Sequence, residues 1–182
     1  MPRELTSGAD SDYCTQQVRM HDRDRYLTAL FAPERRRGDL LALFAFNTEV
    51  AKTAEMVSEP LLGQIRLQWW REAIDGIYGG TPRDHPVVRV LFRAVERHQP
   101  PREPFDRLID GRGFDLDDGP PETLDGLIAY ATDTSAMLTA LALHLLGVGQ
   151  GDAAAHQAGL DVGIAWGLAG VLRAHPERAA RG

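Results

Sequence analysis

The chain has 182 residues, of which 43% are hydrophobic and 25% charged, and its formal net charge is −6. This length and composition predict one globular domain with a real core, and they exclude a disordered or collagen-like chain. The acidic balance argues against general nucleic-acid binding, because that activity depends on a basic face that neutralises phosphates.

Apolar residues recur at helical spacing along almost the whole chain, and no run of alternating β-branched residues indicates a strand. We therefore predict an all-α fold in a single domain over residues 1–182, with residues 1–10 disordered. The predicted helices, in chain order, cover residues 11–31, 33–54, 58–78, 86–98, a segment from after Pro101 to about 116, 123–146 and 152–174.

Proline, glycine and capping residues set most of these boundaries. Pro33 ends the first helix and suits the first turn of the second, and Ser58 is the predicted N-cap of the third. Gly79-Gly80 ends that third helix. Turn residues predict a loop at 117–121, and the polar residues 173–182 predict a loop-like tail.

Two helices carry unusual apolar patterns. Trp69 and Trp70 point about 100° apart on the third helix, so we expect one in the core and the other at a neighbouring helix or an interface. The last helix is apolar around most of its circumference and needs neighbours on every side. We therefore expect that the chain is a fragment of a longer fold or completes its core with another chain.

Compartment signals are few. No stretch approaches the roughly 18–20 apolar residues that cross a bilayer, so no membrane-spanning segment is predicted. Residues 1–20 lack the apolar core of a signal peptide. Cys14 is the single cysteine and cannot form an internal disulfide, which suits a reducing compartment. These features predict a cytoplasmic location.

Common catalytic motifs do not occur in the sequence. No nucleophile elbow, Walker loop, Rossmann glycine fingerprint or H-E-x-x-H motif is found, and the histidines are not paired at metal-ligand spacing. The acidic stretch that begins at Asp115 lacks the glycine and the glutamate of a calcium-binding EF-hand. The run Arg35-Arg36-Arg37 suits phosphate or an anionic membrane surface, but such charges more often simply face water.

Three stretches together resemble the squalene/phytoene synthase family of all-α class I isoprenoid synthases. They are Ala29 to Pro33 with Leu40 to Asn47, Gln64 to Tyr78 with His85-Pro86, and Pro101 to Asp118 with Tyr130. The resemblance covers essentially the whole chain and implies a helical bundle of the isoprenoid synthase type, incomplete at its C-terminus. In that family a D-D-x-x-D motif and an N-x-x-x-D-x-x-x-D motif hold magnesium against a prenyl diphosphate.

The two acidic motifs of the family are degenerate in this chain. The first falls on residues 51–55, where Ala51 and Lys52 stand in place of the leading aspartates and Glu55 keeps the last acid. The second loses its amide and both aspartates, with Glu177 as the surviving acid, because its positions hold Gly170, Ala174 and Arg178. Positive charge in place of metal ligands repels a dication, so we expect neither a magnesium cluster nor any other cofactor.

The chain most resembles the branch of this family that contains the mitochondrial complex I assembly factor and its bacterial relatives. The residues concerned are Ala45 to Ala51, Val57 to Glu59, Ile65 to Trp70 and Asp117-Asp118. The resemblance implies a non-catalytic protein that keeps the synthase fold and binds a protein client, such as a respiratory complex subunit. It also implies peripheral contact with the inner membrane or with an isoprenoid lipid.

Two rival hypotheses remain open. One is an active magnesium-dependent prenyltransferase that condenses two farnesyl or geranylgeranyl diphosphates with the residual acids Glu55, Asp115 and Glu177. The other is a lipid-phosphate binder in which Lys52, Arg173 and Arg178 replace the charge of the metal. A surviving cavity is expected to be lined by Glu49, Glu55, Asp115, Tyr130, Arg173 and Glu177, although each of these residues also has a purely structural interpretation.

Overall fold

The computed structural model describes residues 5–57, 59–116, 121, 123–149 and 151–179, and within these ranges it describes side chains from residue 8 to residue 173. These residues form helices and no strand, which confirms the predicted all-α class. The α-helices are α1 (Leu5–His21), α2 (Arg23–Ala29), α3 (Glu34–Ala51), α4 (Pro60–Tyr78), α5 (Pro86–His98), α6 (Glu103–Gly111), α7 (Leu124–Ala131), α8 (Met137–Leu146) and α9 (Ala153–Ala179).

Three short elements of different pitch supplement these helices. A 3-10 turn at Ala54–Met56 follows α3, and a longer one at Arg112–Leu116 follows α6. A π-helical turn at Thr132–Ala136 joins α7 to α8, so the two form one continuous rod. The predicted loop residues 117–120 lie outside the described residues.

The predicted first helix is two helices in the structure. Asp22 separates them and caps α2, since its carboxylate accepts a hydrogen bond of 3.1 Å from the backbone nitrogen of Arg25. The structure also begins α1 at Leu5, although residues 1–10 were expected to be disordered. Within that segment, Asp10 is buried and pairs with Arg89 at 2.6 Å.

Glycine and proline mark the other helix ends largely as expected. α4 ends at Tyr78 with Gly79 as its C-cap, and Gly80 takes a positive φ of 75° in the following turn. Its start differs slightly, because Pro60 is the first helical residue and Glu59 occupies the cap position. The predicted cap, Ser58, lies outside the described residues.

The centre of the bundle is α3, in which every residue from Asp39 to Val50 is buried. It packs against α1, α5 and α8. Phe46 makes edge-on contacts with Trp70 and with Phe105, at ring-centroid distances of 5.4 Å and 5.5 Å. Trp70 is buried in this core, whereas Trp69 is half-buried beside it, as we expected for two adjacent tryptophans.

Glycines let α9 approach the α7–α8 rod closely. A Cβ on Gly163 would lie 2.5 Å from Cα of Ala136, and one on Gly167 would lie 2.9 Å from Cβ of Ala131. The opposite face is exposed, and 61% of Val162 and 71% of Leu172 are accessible to water. The helix also continues to Ala179, so the prediction of a loop-like tail from residue 173 is wrong for the described part of that segment.

The rod Leu124–Leu146 is long and apolar enough, by length and composition alone, to cross a membrane. This finding differs from the expectation that no segment of that kind exists. In the structure the α8 part of the rod packs against α3, α6 and α9, whereas Leu124 and Ile128 of α7 are exposed.

Candidate functional site

Asp115, Tyr130 and Arg112 form one polar cluster between the 3-10 turn after α6 and the end of α7. The hydroxyl of Tyr130 donates a hydrogen bond of 2.8 Å to Oδ1 of Asp115. The guanidinium of Arg112 donates to Oδ2 of Asp115 at 3.1 Å and to the Tyr130 hydroxyl at 2.9 Å. The cluster is protected from water, since the side chains of Arg112 and Asp115 are 17% and 9% exposed.

This cluster forms one wall of a cavity of about 220 Å³ between α2, the α7–α8 rod and α9. On the other side of the cavity, the Arg25 guanidinium lies 5.2 Å from the centre of the Trp166 ring. Arg25 also donates to Oγ of Ser135 at 3.4 Å and pairs with Asp22 at 2.7 Å. The cavity is therefore polar, but each of its two arginines already has a carboxylate partner.

Glu49 belongs to a second polar cluster, at the interface of α1, α3 and α4. It is only 7% exposed, and it accepts hydrogen bonds from the Tyr13 hydroxyl at 3.0 Å and from Arg66 at 3.4 Å. Burial, reinforced by the Glu49 carboxylate, raises the pKa of Tyr13 to about 12. Glu49 is thus held as a buried, partnered carboxylate.

Lys52 lies at the end of α3 and faces α1. Its Nζ donates a hydrogen bond of 3.2 Å to Oε1 of Gln17, one helical turn from Tyr13. Burial lowers the pKa of Lys52, although nearby Glu49 and Glu55 oppose that shift. The ammonium group therefore sits next to the Glu49 cluster.

His85 extends the Glu49 cluster toward the aromatic core. Its ring lies edge-on to those of Tyr13, Trp69 and Trp70, with centroids 6.3, 5.5 and 5.4 Å away. Burial lowers the pKa of His85, and its Nδ1 is buried without a hydrogen-bond partner in the described part of the chain. The imidazole is therefore favoured in its neutral form.

Of the remaining predicted site residues, Glu55 and Arg173 join neither cluster. Glu55 is exposed in the 3-10 turn Ala54–Met56. Arg173 is 64% exposed at its side chain and pairs with Asp24 of α2 at 3.3 Å. Glu177 and Arg178 lie in α9, but their side chains are outside the described ones, and the predicted lining role of Glu177 stays a prediction.

Magnesium is the metal that the family resemblance implies, and the described residues at the first motif do not fit it. Ala51 supplies only a methyl group, Lys52 supplies an ammonium, and Glu55 is the single carboxylate there. No group of three or more His, Cys, Asp or Glu side chains suited to a metal ion occurs among the residues that the structure describes. Hard cations need several oxygen ligands, which these three positions do not provide.

Sequence reasoning missed the partners that hold the predicted acids. Arg112 lies three residues before Asp115, so the local spacing rule for helical ion pairs could have indicated it. Tyr13 is 36 residues from Glu49, and Arg66 lies on another helix, so no local signal pointed to either. The contact between Arg25 and Trp166 was missed for the same reason, because it forms only where α2 and α9 meet in the fold.

Comparison with known proteins relates this fold to one family. The family model described as squalene/phytoene synthase matches residues 18–182. A solved structure described as squalene synthase HpnC from Alicyclobacillus acidocaldarius superimposes with a TM-score of 0.83 at 21% identity, over 98% of this chain and 66% of that chain. At that identity the similarity establishes the fold alone.

Curated relatives carry two kinds of name. One is "NADH dehydrogenase (ubiquinone) complex I, assembly factor 6". The Bos taurus protein of this name is 36% identical over 96% of this chain and 52% of its own length. The Homo sapiens protein is 34% identical over 93% of this chain and 50% of its own length. A phytoene synthase of Rhodobacter capsulatus is 27% identical over 93% of this chain and 49% of its own. The chain thus spans about half the length of the curated relatives it matches.

Proposed function

We propose that this chain, which belongs to the squalene/phytoene synthase family, acts by binding in the assembly of a respiratory NADH dehydrogenase and transfers no prenyl group. The names of the more similar relatives support the assembly role, since four mammalian assembly factors share 34–36% identity with the chain and the two phytoene synthases 25–27%. Assembly-factor homologues of Dictyostelium discoideum and Drosophila melanogaster share 26% and 29%. The proposed absence of catalysis rests on the position of Lys52.

Lys52 stands where the family places a metal-binding aspartate, and two contacts fix the place of its ammonium. Its ammonium is hydrogen-bonded to Gln17 and lies near the Glu49 carboxylate. Two unit charges of like sign repel by about 4 kcal/mol at 4 Å and an effective dielectric near 20, and a dication roughly doubles that value. Magnesium bound here would therefore meet a fixed repulsion instead of a ligand.

Two of the residual acids, Asp115 and Glu55, lie in surroundings that do not suit a metal site. Asp115 accepts hydrogen bonds from Tyr130 and Arg112, and Glu55 faces water. A prenyl diphosphate ionises only when its leaving pyrophosphate is neutralised, and that task requires cations held in a fixed geometry. Neither acid offers the paired carboxylates that would hold them.

We further propose that the partner is a protein client, a subunit of the respiratory complex, and that the chain works at the inner membrane in which that complex is built. The names of the assembly-factor relatives, which state assembly of complex I, support the proposed client.

Two measurements test the function. Purified protein with magnesium and farnesyl or geranylgeranyl diphosphate should release no pyrophosphate, with the Rhodobacter capsulatus phytoene synthase as the positive control. Clear turnover by this chain would overturn the non-catalytic role. In the organism that encodes it, deletion of the gene should deplete the assembled NADH dehydrogenase on native gels. Normal levels of the complex after deletion would refute the assembly role.

A double variant separates the proposal from an active prenyltransferase, which the phytoene synthase relatives keep as a second candidate. Ala51→Asp with Lys52→Asp adds two carboxylates and removes the ammonium. Magnesium affinity, measured by calorimetry, should rise if no site exists at present, and should barely change if a working site already exists. The lipid-phosphate hypothesis predicts instead that the unaltered protein binds pyrophosphate in the presence of a chelator.

A further inference from the structure

We propose that the corner formed by the end of α1, α2 and the turn into α3 is a docking surface for an anionic lipid bilayer. We name this surface the Phe31 corner and define it by its exposed apolar residues Met20, Leu27, Leu30 and Phe31 and its arginines Arg19, Arg23 and Arg35. The inference rests on the membrane location proposed above, but it requires neither a particular client nor the absence of catalysis.

The apolar side chains of the corner are unusually exposed. Phe31 is 91% accessible to water, and the values for Met20, Leu27 and Leu30 are 56%, 45% and 40%. Single exposed apolar residues are common on soluble proteins, but a cluster of large ones usually marks an interaction surface. An aromatic ring at the tip of such a cluster suits the boundary between lipid headgroups and acyl chains.

The exposure of Phe31 results from an ordered turn. The backbone nitrogen of Phe31 donates to the carbonyl of Thr28 at 3.1 Å, and that of Ala32 to the carbonyl of Ala29 at 3.1 Å. Arg37 then holds the turn from α3, since its guanidinium donates to the carbonyls of Leu30 and Ala32 at 3.0 and 3.3 Å. The ring is thus presented to solvent by a fixed backbone.

Two of the arginines, Arg19 and Arg23, lie beside part of the apolar surface of the corner. Arg23, Leu27 and Leu30 follow one another at spacings of four and three residues, which places them on one side of α2. Arg19 lies near the end of α1, across the break at Asp22 from Arg23, and both arginines line a shallow cavity of about 390 Å³ together with Tyr26 and Leu27. A lipid phosphate between the two guanidiniums would therefore sit directly beside apolar surface.

The positive charge of the Phe31 corner favours an anionic bilayer as its binding partner. Arg19, Arg23 and Arg35 are exposed and take part in none of the ion pairs found within the described residues. The carboxylates of α2 and its cap are occupied, Asp22 by Arg25 and Asp24 by Arg173, which leaves Glu34 as the acidic neighbour in the same turn. The corner is therefore cationic on a chain of net charge −6.

A cationic, apolar corner matches an anionic bilayer better than a second copy of this chain. Two such corners facing each other across a twofold axis would bring like charges together. An anionic leaflet instead attracts each arginine near its surface and accepts the Phe31 ring below the headgroups.

Vesicle co-sedimentation tests the inference. The protein should sediment with vesicles of phosphatidylcholine mixed with phosphatidylglycerol, and added salt should weaken this binding. With vesicles of phosphatidylcholine alone, the protein should stay in the supernatant. Arg19→Glu with Arg23→Glu should weaken binding by at least about fivefold for each arginine. Phe31→Ser should weaken it on the order of tenfold, because the ring no longer inserts.

A matched control variant tests whether loss of any exposed apolar side chain weakens vesicle binding. Leu61 is 63% exposed on α4, outside the corner, so Leu61→Ser should leave vesicle binding unchanged. Absence of binding to anionic vesicles, or equal weakening by Leu61→Ser and Phe31→Ser, would refute the docking surface. Circular dichroism of each variant verifies that it is folded. Such a failure would leave the results of the pyrophosphate and gene-deletion experiments standing.

Discussion

Tyr130 donates its hydroxyl proton to Asp115 across a 2.8 Å hydrogen bond, which ties the end of α7 to the 3-10 turn that follows α6. Arg112 contacts both residues, so the three side chains form a closed triangle. Asp115, which the family resemblance suggested as a residual catalytic acid, is therefore held by two hydrogen-bond donors in this fold.

Tyr130→Phe should destabilise the fold. The change removes the hydroxyl that both Asp115 and Arg112 contact while these charged groups remain shielded from water. Loss of such hydrogen bonds costs about 1–3 kcal/mol of unfolding free energy, measurable by urea denaturation. Tyr26→Phe is the control, because the Tyr26 hydroxyl makes no hydrogen bond within the described residues. Equal effects of the two substitutions would contradict a structural role for the triangle.

Two glycines of α9 should respond to alanine in opposite directions. At Gly163 the new Cβ would lie 2.5 Å from Cα of Ala136, so Gly163→Ala forces two helices apart and should cost about 1–3 kcal/mol. At Gly170 no atom of the described residues outside the adjoining helix backbone lies within 4 Å of the new Cβ. Gly170→Ala should therefore stabilise the helix by about 0.5–1 kcal/mol. Thermal unfolding of both variants measures the contrast, and a loss of stability at both sites would be inconsistent with it.

The stability of the protein should fall as the pH drops below about 6.5, in part because of His85. Burial lowers the pKa of His85 in the folded state, so the unfolded chain takes up a proton first as the pH falls. This contribution is fully present above the ordinary histidine pKa and is lost as the pH falls through the folded pKa.

Urea unfolding at about pH 7.5 and about pH 5.5 measures this loss of stability. His85→Gln should reduce the loss, whereas His21→Gln should not, because His21 is exposed. An unchanged pH dependence in His85→Gln would argue that other groups cause it.

Cys14 should be inert in the folded protein. Its side chain is 1% exposed, and burial raises the pKa of its thiol to about 12, so little thiolate is present near neutral pH. We expect negligible reaction with a thiol reagent until urea unfolds the chain. Asp12 is exposed on the same helix, and a thiol placed there by Asp12→Cys should react rapidly. Fast labelling of Cys14 in the native state would mean that α1 detaches readily.

Local signals predicted most of the helix ends but not every break. Gly79, Gly80 and Pro86 mark the ends of α4 and the start of α5, because their backbone preferences act without help from the rest of the fold. The break at Asp22 was missed, although aspartate is a favourable N-cap, because the apolar pattern continues on both sides of it. The π-helical turn at Thr132–Ala136 has no local signature of this kind.

The candidate site could be predicted only in part. Asp115 and Tyr130 were singled out through the family resemblance, and the fold brings them into contact. The hydrogen-bond donors that hold the acids are set by tertiary contacts, such as Tyr13 with Glu49 across 36 residues of chain. The charged residues after Arg173 were interpreted as a loop, yet alanine, glutamate and arginine favour helix as well, and α9 continues through them.

The burial of α3 from Asp39 to Val50 has a consequence for how this protein tolerates change. A helix enclosed on all sides has no water-facing stripe on which substitutions accumulate harmlessly, so side-chain volume constrains every position along it. Its amide protons should be among the last to exchange with deuterium, since their release requires the surrounding helices to separate. Amino-acid substitutions between Asp39 and Val50 therefore require compensating substitutions in the neighbouring helices.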